Sequence, residues 1–318
     1  MLWLTWRQHR WQLIGVAVVV AVYCGYLVYA GLQAHQASQV LDACSSGSGA
    51  GLPSPSCESA SSTVNDVHSS MINVVTFGNL LPLAVGMFWG APLISRELEQ
   101  GTYRLTFTQT VSRRRWLAVK LGILSGAAAL LGTVTGAVVS WSQQGANEPF
   151  GDDRLFSQAG AVPAATWVFA LLTGATLGLL RRTTAAIAVT LVALPLVFAG
   201  LLFLRPHYLP PAERLVGGSA MIQGEAPSND PRGWLFSVSY LDRTGRELSP
   251  SAAGTVCADP ANTFPSPQCL DRTGLRQRIV YHPTDRYPWF QLIEMGILLT
   301  AAGAMALVIR WRVSRHLV

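Results

Sequence analysis

A charged and aromatic segment at 93–116, LISRELEQGTYRLTFTQTVSRRRW, interrupts the apolar sequence on either side and carries the side chains best suited to binding. Gly101 is typical of the residue that follows a helix, and Thr102 and Ser112 are typical of residues that begin one. The segment therefore predicts the end of one long helix, a short helix at 102–110 and the start of another long helix.

Polar side chains also lie within the apolar stretches. Asn73, Thr76 and Asn79 are three residues apart, so they form a stripe along one helix face. Such groups either line a transport path or hydrogen-bond neighbouring helices, and the sequence leaves both interpretations open. Glu294 is an isolated acid near the start of the last apolar stretch. It is predicted either to be a functional carboxylate within the membrane or to pair with Arg286 at the membrane surface.

Catalytic motifs are absent from the sequence. Lys120 is the only lysine, and no G-x-x-x-x-G-K-[ST] phosphate-binding loop is present. The metalloprotease pattern H-E-x-x-H and the hydrolase pattern G-x-S-x-G are also missing. The histidines are scattered over loops and chain ends, which favours surface or structural roles over metal binding. The chain is therefore predicted not to be an enzyme and to hold no metal or cofactor of its own.

The composition indicates a membrane protein. Of 318 residues, 50% are hydrophobic and 13% are charged, whereas about 25% of residues in ordinary soluble domains are charged. A helix needs about 20 apolar residues to cross the hydrocarbon, and a lone strand would leave its backbone unsatisfied there. Six stretches are therefore predicted to be spanning helices: 12–32, 71–94, 116–142, 162–180, 184–204 and 289–309.

Arginines near the helix ends predict the orientation. Six spans place both termini on one side of the membrane, together with 95–115 and 181–183, and arginines are concentrated there. The connections on the other side, 33–70 and 143–161, carry only Arg154. Because Lys and Arg are enriched in short cytoplasmic loops, both termini are predicted to be cytoplasmic.

The amino terminus is predicted to lie at the membrane surface. Residues 1–11 interleave Trp3, Trp6 and Trp11 with basic side chains. Indole rings favour the headgroup level of a bilayer, and basic groups favour its phosphates. An interfacial helix at 1–11, in contact with lipid, is therefore expected ahead of the first span. Nucleic acid, another partner of basic aromatic segments, is not expected because a spanning helix follows at once.

Four cysteines lie in connections on the side opposite the termini, where disulfides persist. Proximity favours Cys44–Cys57 and Cys257–Cys269, and four cysteines allow three connectivities. A metal site is the weaker interpretation, since no C-x-x-C pattern or histidine cluster accompanies them. The connection 33–70 is rich in Ser, Gly and Pro, so it is expected to be a flexible loop that one disulfide restrains.

The longest connection, 205–288, predicts a small ectodomain. Its segment WLFSVSYLD, at 234–242, alternates apolar and polar residues as a half-buried strand does. We expect a few strands, held by the disulfide between 257 and 269. A lid over the helices and a role in handling a substrate fit this domain equally well.

The segment SRELEQGTYRLTFTQTVSRRRWLAVK, at 95–120, resembles the coupling-helix region of the type-2 (ABC-2) permease family of ABC exporters. The shared pattern is an acid, a Gly-Thr pair, a short apolar and aromatic helix, a Ser-Arg pair and a downstream lysine. Six spans, an amino-terminal interfacial helix and a large outer segment between the fifth and sixth spans also match that family.

The resemblance implies that the chain docks on a separate ATPase subunit, which binds ATP and Mg²⁺ and drives alternating access. It also implies a second permease copy, in a homodimer or, as the alternative, a heterodimer. By analogy, the surface seated in the ATPase consists of Glu97, Glu99, Gly101, Thr102, Tyr103, Arg104 and Phe107. Tyr103 and Phe107 share one face of the short helix, with the acids and Arg104 around it. The alternative to an ATPase-binding helix is an amphipathic helix that lies on the bilayer surface.

The expected architecture is an all-α membrane protein with an interfacial helix, six transmembrane helices, a cytoplasmic coupling helix and a small disulfide-stapled ectodomain containing some β structure. Its domains are 1–11, 12–204, 205–288 and 289–318. The usage of one lysine to 22 arginines among 23 basic residues favours a GC-rich bacterium and its cytoplasmic membrane.

The expected function is export of a hydrophobic or amphipathic small molecule, such as a drug, an antibiotic, a peptide or a lipid, as in multidrug efflux. The alternative from another class is a membrane sensor or immunity subunit whose ectodomain binds a ligand without net transport. A membrane-embedded enzyme ranks last, because no acid, histidine or metal-ligand constellation is evident in the spans.

Overall fold

The structure is a computed structural model, and it describes residues 2–46, 55–100, 113–143, 150, 153–218, 233–257 and 265–316. It confirms the predicted class: the described residues include six helices long and apolar enough to span a membrane. The six are Arg10–Cys44, Pro55–Glu99, Arg115–Ser142, Val162–Leu180, Thr183–His207 and Thr284–Arg315. The chain divides into two compact units: Met1–Ala146 with Asp153–Pro206 and Gln291–Val318, and Asn147–Asp152 with His207–Phe290.

The helices and strands follow one another in this chain order: α1 (Leu2–Ser46), α2 (Pro55–Gly78), α3 (Leu80–Val85), a π turn (Gly86–Gly90), α4 (Ala91–Glu99), α5 (Arg113–Ser142), α6 (Asp153–Gln158), α7 (Val162–Leu177), α8 (Thr183–Leu204), β1 (Ala212–Gly217), β2 (Trp234–Leu241), β3 (Glu247–Leu248), α9 (Pro250–Cys257), α10 (Pro267–Thr273), β4 (Arg276–His282) and α11 (Tyr287–His316).

The first two helices are longer than the sequence predicts. The segment expected as a separate interfacial helix is the beginning of α1, which runs unbroken to Ser46. The connection 33–70, expected to be a flexible loop, is helical over 33–46 and 55–70. α1 and α2 lie side by side, and the disulfide Cys44–Cys57 joins the two helices beyond the apolar stretches. The hairpin is therefore stiffened where its composition alone indicated a loose chain.

An apolar core holds the hairpin on the rest of the first unit. Leu27 of α1, Val75 of α2 and Val139 of α5 are buried together. Tyr23 and Val138 pack against the same cluster. The three helices thus form one layer, because each contributes one buried aliphatic side chain to a shared contact.

The second span is irregular. Its α-helical pattern is interrupted between Gly78 and Leu80, and it widens into a π turn at Gly86–Gly90. Pro82 and Pro92 have no N–H to donate, so each removes one hydrogen bond from the helix. The span consequently consists of α2, α3 and α4 in succession rather than one straight helix.

α7 is the central helix of the first unit. In the most apolar part of its span 72% of residues are buried, against 17–33% in the other five. The π turn lies directly on it: a methyl group at Gly174 would overlap the carbonyl oxygen of Gly86, and one at Gly90 would overlap that of Leu171. Close approach of this kind is typical of small residues between membrane helices.

The second unit contains an antiparallel sheet in the order β1-β4-β2-β3. β2 confirms the strand predicted from the alternating pattern. The disulfide Cys257–Cys269 is present and joins α9 to α10. Tyr240 of β2 packs with Ala253 of α9 and Leu270 of α10 in a small buried core. The disulfide therefore staples the two short helices against the sheet, rather than strand to strand.

Candidate functional site

A buried ion pair joins α4 to α5. Lys120 Nζ lies 2.6 Å from Glu97 Oε1 and donates a second hydrogen bond, 3.2 Å long, to the carbonyl oxygen of Leu93. It also lies 5.2 Å from the centre of the Trp116 ring. Lys120 is only 5% exposed, so its ammonium group depends on these partners in place of water.

Hydrogen bonds to Thr183 join α4 to α8. Glu99 Oε2 accepts from the backbone N–H of Thr183 at 3.2 Å and from its hydroxyl at 2.7 Å. Thr183 is the first residue of α8, so the carboxylate caps that helix at the positive end of its dipole. The buried hydroxyl of Ser95 lies 3.0 Å from Thr183 Oγ1. We call Ser95, Glu97, Glu99, Lys120 and Thr183 the α4 anchor.

The α4 anchor contains the two predicted ATPase-facing residues that the structure describes, Glu97 and Glu99. Both carboxylates bind groups of their own chain and hold α4 in place. The other members of that predicted surface lie outside the described residues, as does the coupling helix expected at 102–110: Gly101, Thr102, Tyr103, Arg104 and Phe107.

Replacing Lys120 with Met tests the anchor. The change leaves the Glu97 carboxylate, whose side chain is 19% exposed, without its counter-charge. We expect a stability loss somewhat below the about 3–5 kcal/mol of a fully buried pair, measured as the melting temperature of the full chain in detergent. Glu99→Gln is the control, with a smaller effect because that carboxylate is exposed. Equal effects of the two variants would contradict the assignment.

A second site is a cavity of about 350 Å³ within the first unit, bounded by α3, α6, α7, α8 and α11. Most of its wall is apolar. Its polar lining consists of Asn79, Ser157, Gln158, Thr166, Arg205 and Glu294. The cavity thus combines an apolar wall with a few convergent polar groups, as small-molecule sites do.

Arg205 and Glu294 form a buried ion pair in this cavity. Arg205 donates from Nε to Glu294 Oε2 and from Nη2 to Oε1, both at 2.9 Å. Their side chains are 2% and 3% exposed. The guanidinium carbon also lies 4.1 Å from the centre of the Phe156 ring. The paired geometry and the ring compensate for the loss of water around both charges.

Hydrogen bonds hold α6 against this ion pair. Asn79 Oδ1 accepts from Gln158 Nε2 at 2.8 Å and from the Ser157 hydroxyl at 3.2 Å. Gln291 of α11 donates to the carbonyl oxygen of Phe156 at 3.1 Å and accepts from the N–H of Val162 at 3.3 Å. The carboxyl-terminal half of this short helix is therefore fixed to neighbouring spans.

The structure brings together two of the four residues predicted for a substrate path. Asn79 and Glu294 line the same cavity. Asn73 is exposed and Thr76 donates to the carbonyl oxygen of Ile72, and neither lines it. Glu294 binds Arg205, whereas Arg286, the partner considered from the sequence, donates to the carbonyl oxygen of Pro210.

Sequence reasoning missed Arg205, Phe156 and Gln158. Arg205 directly follows the apolar stretch 184–204, and an arginine in that position is a signal for a buried pair. Phe156 and Gln158 carry no such signal, since their role depends on where α6 folds back. Among the described residues, no three His, Cys, Asp or Glu side chains are grouped closely enough to hold a metal ion.

Comparison with known proteins identifies the family. Residues 17–205 match the family model described as ABC-2 membrane transporter related. No curated protein and no solved structure is similar enough to count as a match. The matched residues cover the second to fourth spans, most of the first and fifth spans, the α4 anchor and all but one of the polar residues of the cavity. Because the match covers more than half of the chain, the protein belongs to the ABC-2 membrane transporter related family.

Proposed function

We propose that the chain is the permease subunit of an ATP-driven exporter, in which ATP hydrolysis on separate subunits moves the spans between inward-facing and outward-facing states. Membership of the family supports a transport role in the membrane. The observation that best supports coupling to ATP hydrolysis is the α4 anchor. It links the ends of α4, α5 and α8, so that a force on the segment 101–112 would move the three ends together.

The path of that force follows from the contacts. The segment 101–112 connects α4 to α5, and the pair of Glu97 and Lys120 ties the same two helices side by side. Glu99 and Ser95 tie α4 to the start of α8. α4 continues from the π turn that lies on Gly174 of α7. A partner that presses on 101–112 therefore displaces α4, α5 and α8 as one body against α7.

The proposal includes the other subunits of the exporter. Two ABC ATPase subunits bind ATP and Mg²⁺, and two permease copies, as a homodimer or a heterodimer, form the path. The arginines at the ends of α4, α5, α8 and α11 favour a cytoplasmic position for this end and for both termini. We place the chain in the cytoplasmic membrane of a bacterium and assign it a hydrophobic or amphipathic cargo, in the manner of multidrug efflux.

A double variant, Tyr103→Ala with Phe107→Ala, tests the coupling. Aromatic anchors at interface centres each contribute about 2 kcal/mol or more, so we expect at least about tenfold weaker capture of the ATPase by the full chain. ATP-driven transport in proteoliposomes is expected to fall in parallel. The capture partner is identified as an ABC ATPase by its Walker motifs.

Leu105→Ala is the matched control, since Leu105 is two residues from each aromatic position in the sequence and would face the opposite side in the predicted short helix. It should leave capture and transport near the level of the unmodified chain. Undiminished transport in the double variant would contradict the coupling proposal. Ligand binding by the full chain without transport of any cargo would favour the sensor or immunity subunit instead.

A further inference from the structure

We propose that the cavity of Asn79, Gln158, Arg205 and Glu294 binds an amphipathic molecule that has an uncharged hydrogen-bonding head and reaches the cavity sideways from the bilayer. Only the identification of this molecule as cargo rests on the proposed function. Binding itself requires neither ATP nor the ATPase, so the two proposals are separable.

The floor of the cavity is polar and buried. Arg205 and Glu294 are each 2% exposed, and Gln158 and Thr166 are buried beside them. Polar groups are placed at such depth at a cost, unless they are hydrogen-bonded. The floor is thus a preformed set of donors and acceptors at the inner end of an otherwise apolar space.

The rim of the cavity is apolar and exposed. Leu80 of α3 is 54% exposed and Leu202 of α8 is 45% exposed. Pro195 and Ala199 also line the cavity and are exposed. Pro195, Ala199 and Leu202 are four and three residues apart, so they share one face of α8. Exposed apolar side chains of a spanning helix face hydrocarbon, so the mouth of the cavity opens where acyl chains lie. A ligand must therefore place its head inward and its apolar body at the rim.

The charges of the floor select the type of head. Both carboxylate oxygens of Glu294 accept from Arg205, so the pair is neutral as a unit. A head with a net charge would bring an uncompensated charge into a low-dielectric site. A hydroxyl or amide head can instead share hydrogen bonds with Asn79, Ser157 and Gln158, which already bind one another.

The size of the cavity agrees with such a ligand. Its volume of about 350 Å³ lies within the about 300–1,000 Å³ of small-molecule pockets. The open rim allows an apolar chain to continue into the lipid. A molecule with one chain or a compact apolar body fits both features.

Photolabelling tests the site. The full chain in phosphatidylcholine nanodiscs is exposed to a diazirine-bearing monoacylglycerol, and labelled peptides are mapped by mass spectrometry. We expect saturable labelling at 80–83 and 195–202, competed by unlabelled monoacylglycerol. Matched fatty-acid and alkyltrimethylammonium probes should label these peptides several-fold less. Because phosphatidylcholine is already in excess, labelling separates a free amphipath from resident bilayer lipid.

Two rim variants provide the structural control. Ala199→Trp and Leu202→Trp place an indole in the mouth and should each lower labelling about tenfold, because the indole occupies the space a ligand needs. Gly200→Trp is the matched control, since a side chain at Gly200 meets no atom within 4 Å and does not line the cavity. Unchanged elution and melting temperature show that each variant folds.

Other outcomes overturn the proposal. Labelling spread over all exposed spans, or unaffected by both rim variants, means non-specific contact with lipid. A change of oligomeric mass in the rim variants means that the mouth is an interface between copies. If the unmodified chain is labelled but shows no ATP-driven transport, the proposed function is wrong and the binding site stands. If it transports but is not labelled, only the binding site is wrong.

Discussion

Replacing Glu294 with Gln is expected to lower the free energy of unfolding by about 3–5 kcal/mol, the cost of removing one partner of a buried ion pair. The Arg205 guanidinium would face a neutral amide in place of a carboxylate that accepts two of its hydrogen bonds at 2.9 Å. The positive charge of Arg205, buried beside the Phe156 ring, would lose the carboxylate that neutralises it. The measurement is unfolding of the full chain in mixed micelles, followed by circular dichroism.

The double variant Arg205→Met with Glu294→Leu separates charge from packing. Replacing both members of a buried pair with apolar side chains of similar volume is often close to neutral. We therefore expect the double variant to recover most of the stability lost in Glu294→Gln, while its monoacylglycerol labelling falls below that of the unmodified chain because the floor has lost its two charged residues. A stability of Glu294→Gln equal to that of the unmodified chain would show that the pair is solvated and not buried.

Gly174→Ala is expected to destabilise the first unit strongly, although it adds only one methyl group. The added methyl group would overlap the carbonyl oxygen of Gly86 and would lie 2.8 Å from the backbone nitrogen of Ala91. Both obstacles are backbone, which cannot rotate away as a side chain can, so the π turn must move off α7. Overpacking costs about 1–3 kcal/mol, occasionally more, and we expect the upper end of that range in a melting experiment.

Gly122→Ala is the matched control on α5, because a methyl group there meets no atom within 4 Å. Alanine is a better helix former than glycine by about 1 kcal/mol, so this variant should be at least as stable as the unmodified chain. Gly174→Ala also tests the proposed coupling of ATP hydrolysis to transport. The proposed ATPase-binding segment 101–112 is unchanged in this variant, so transport should fall more than capture of the ATPase. Equal stability of the two variants would contradict the close approach of α4 and α7.

The spans and the strand β2 were predictable because their signals are local. About 20 consecutive apolar residues cross a bilayer whatever their neighbours are, and the alternation in β2 is visible within eight residues. The disulfides were predictable from proximity alone. The helical content of 33–46 and 55–70 was not, because it depends on α1 and α2 lying side by side, a fact that composition does not contain.

The two sites differ in how much the sequence revealed. Glu97 and Glu99 stood out as acids at a helix end, but their partners, Lys120 and Thr183, come from other spans. Asn79 and Glu294 stood out as polar residues in apolar surroundings, yet only the folded chain shows that they share one cavity. The partner of Glu294 lies 89 residues away in the chain, and a residue pair of that separation leaves no local pattern.

The length of α1 has a mechanical consequence. Its 45 residues extend about 67 Å at about 1.5 Å per residue, more than twice the hydrocarbon thickness of about 30 Å. Because Cys44–Cys57 locks it to α2, the protruding tip cannot splay and acts as a lever rigidly attached to the first two spans. A tilt of these two spans would displace the tip sideways, so a spin or dye label near residue 40 would report that tilt from a position beyond the apolar stretches.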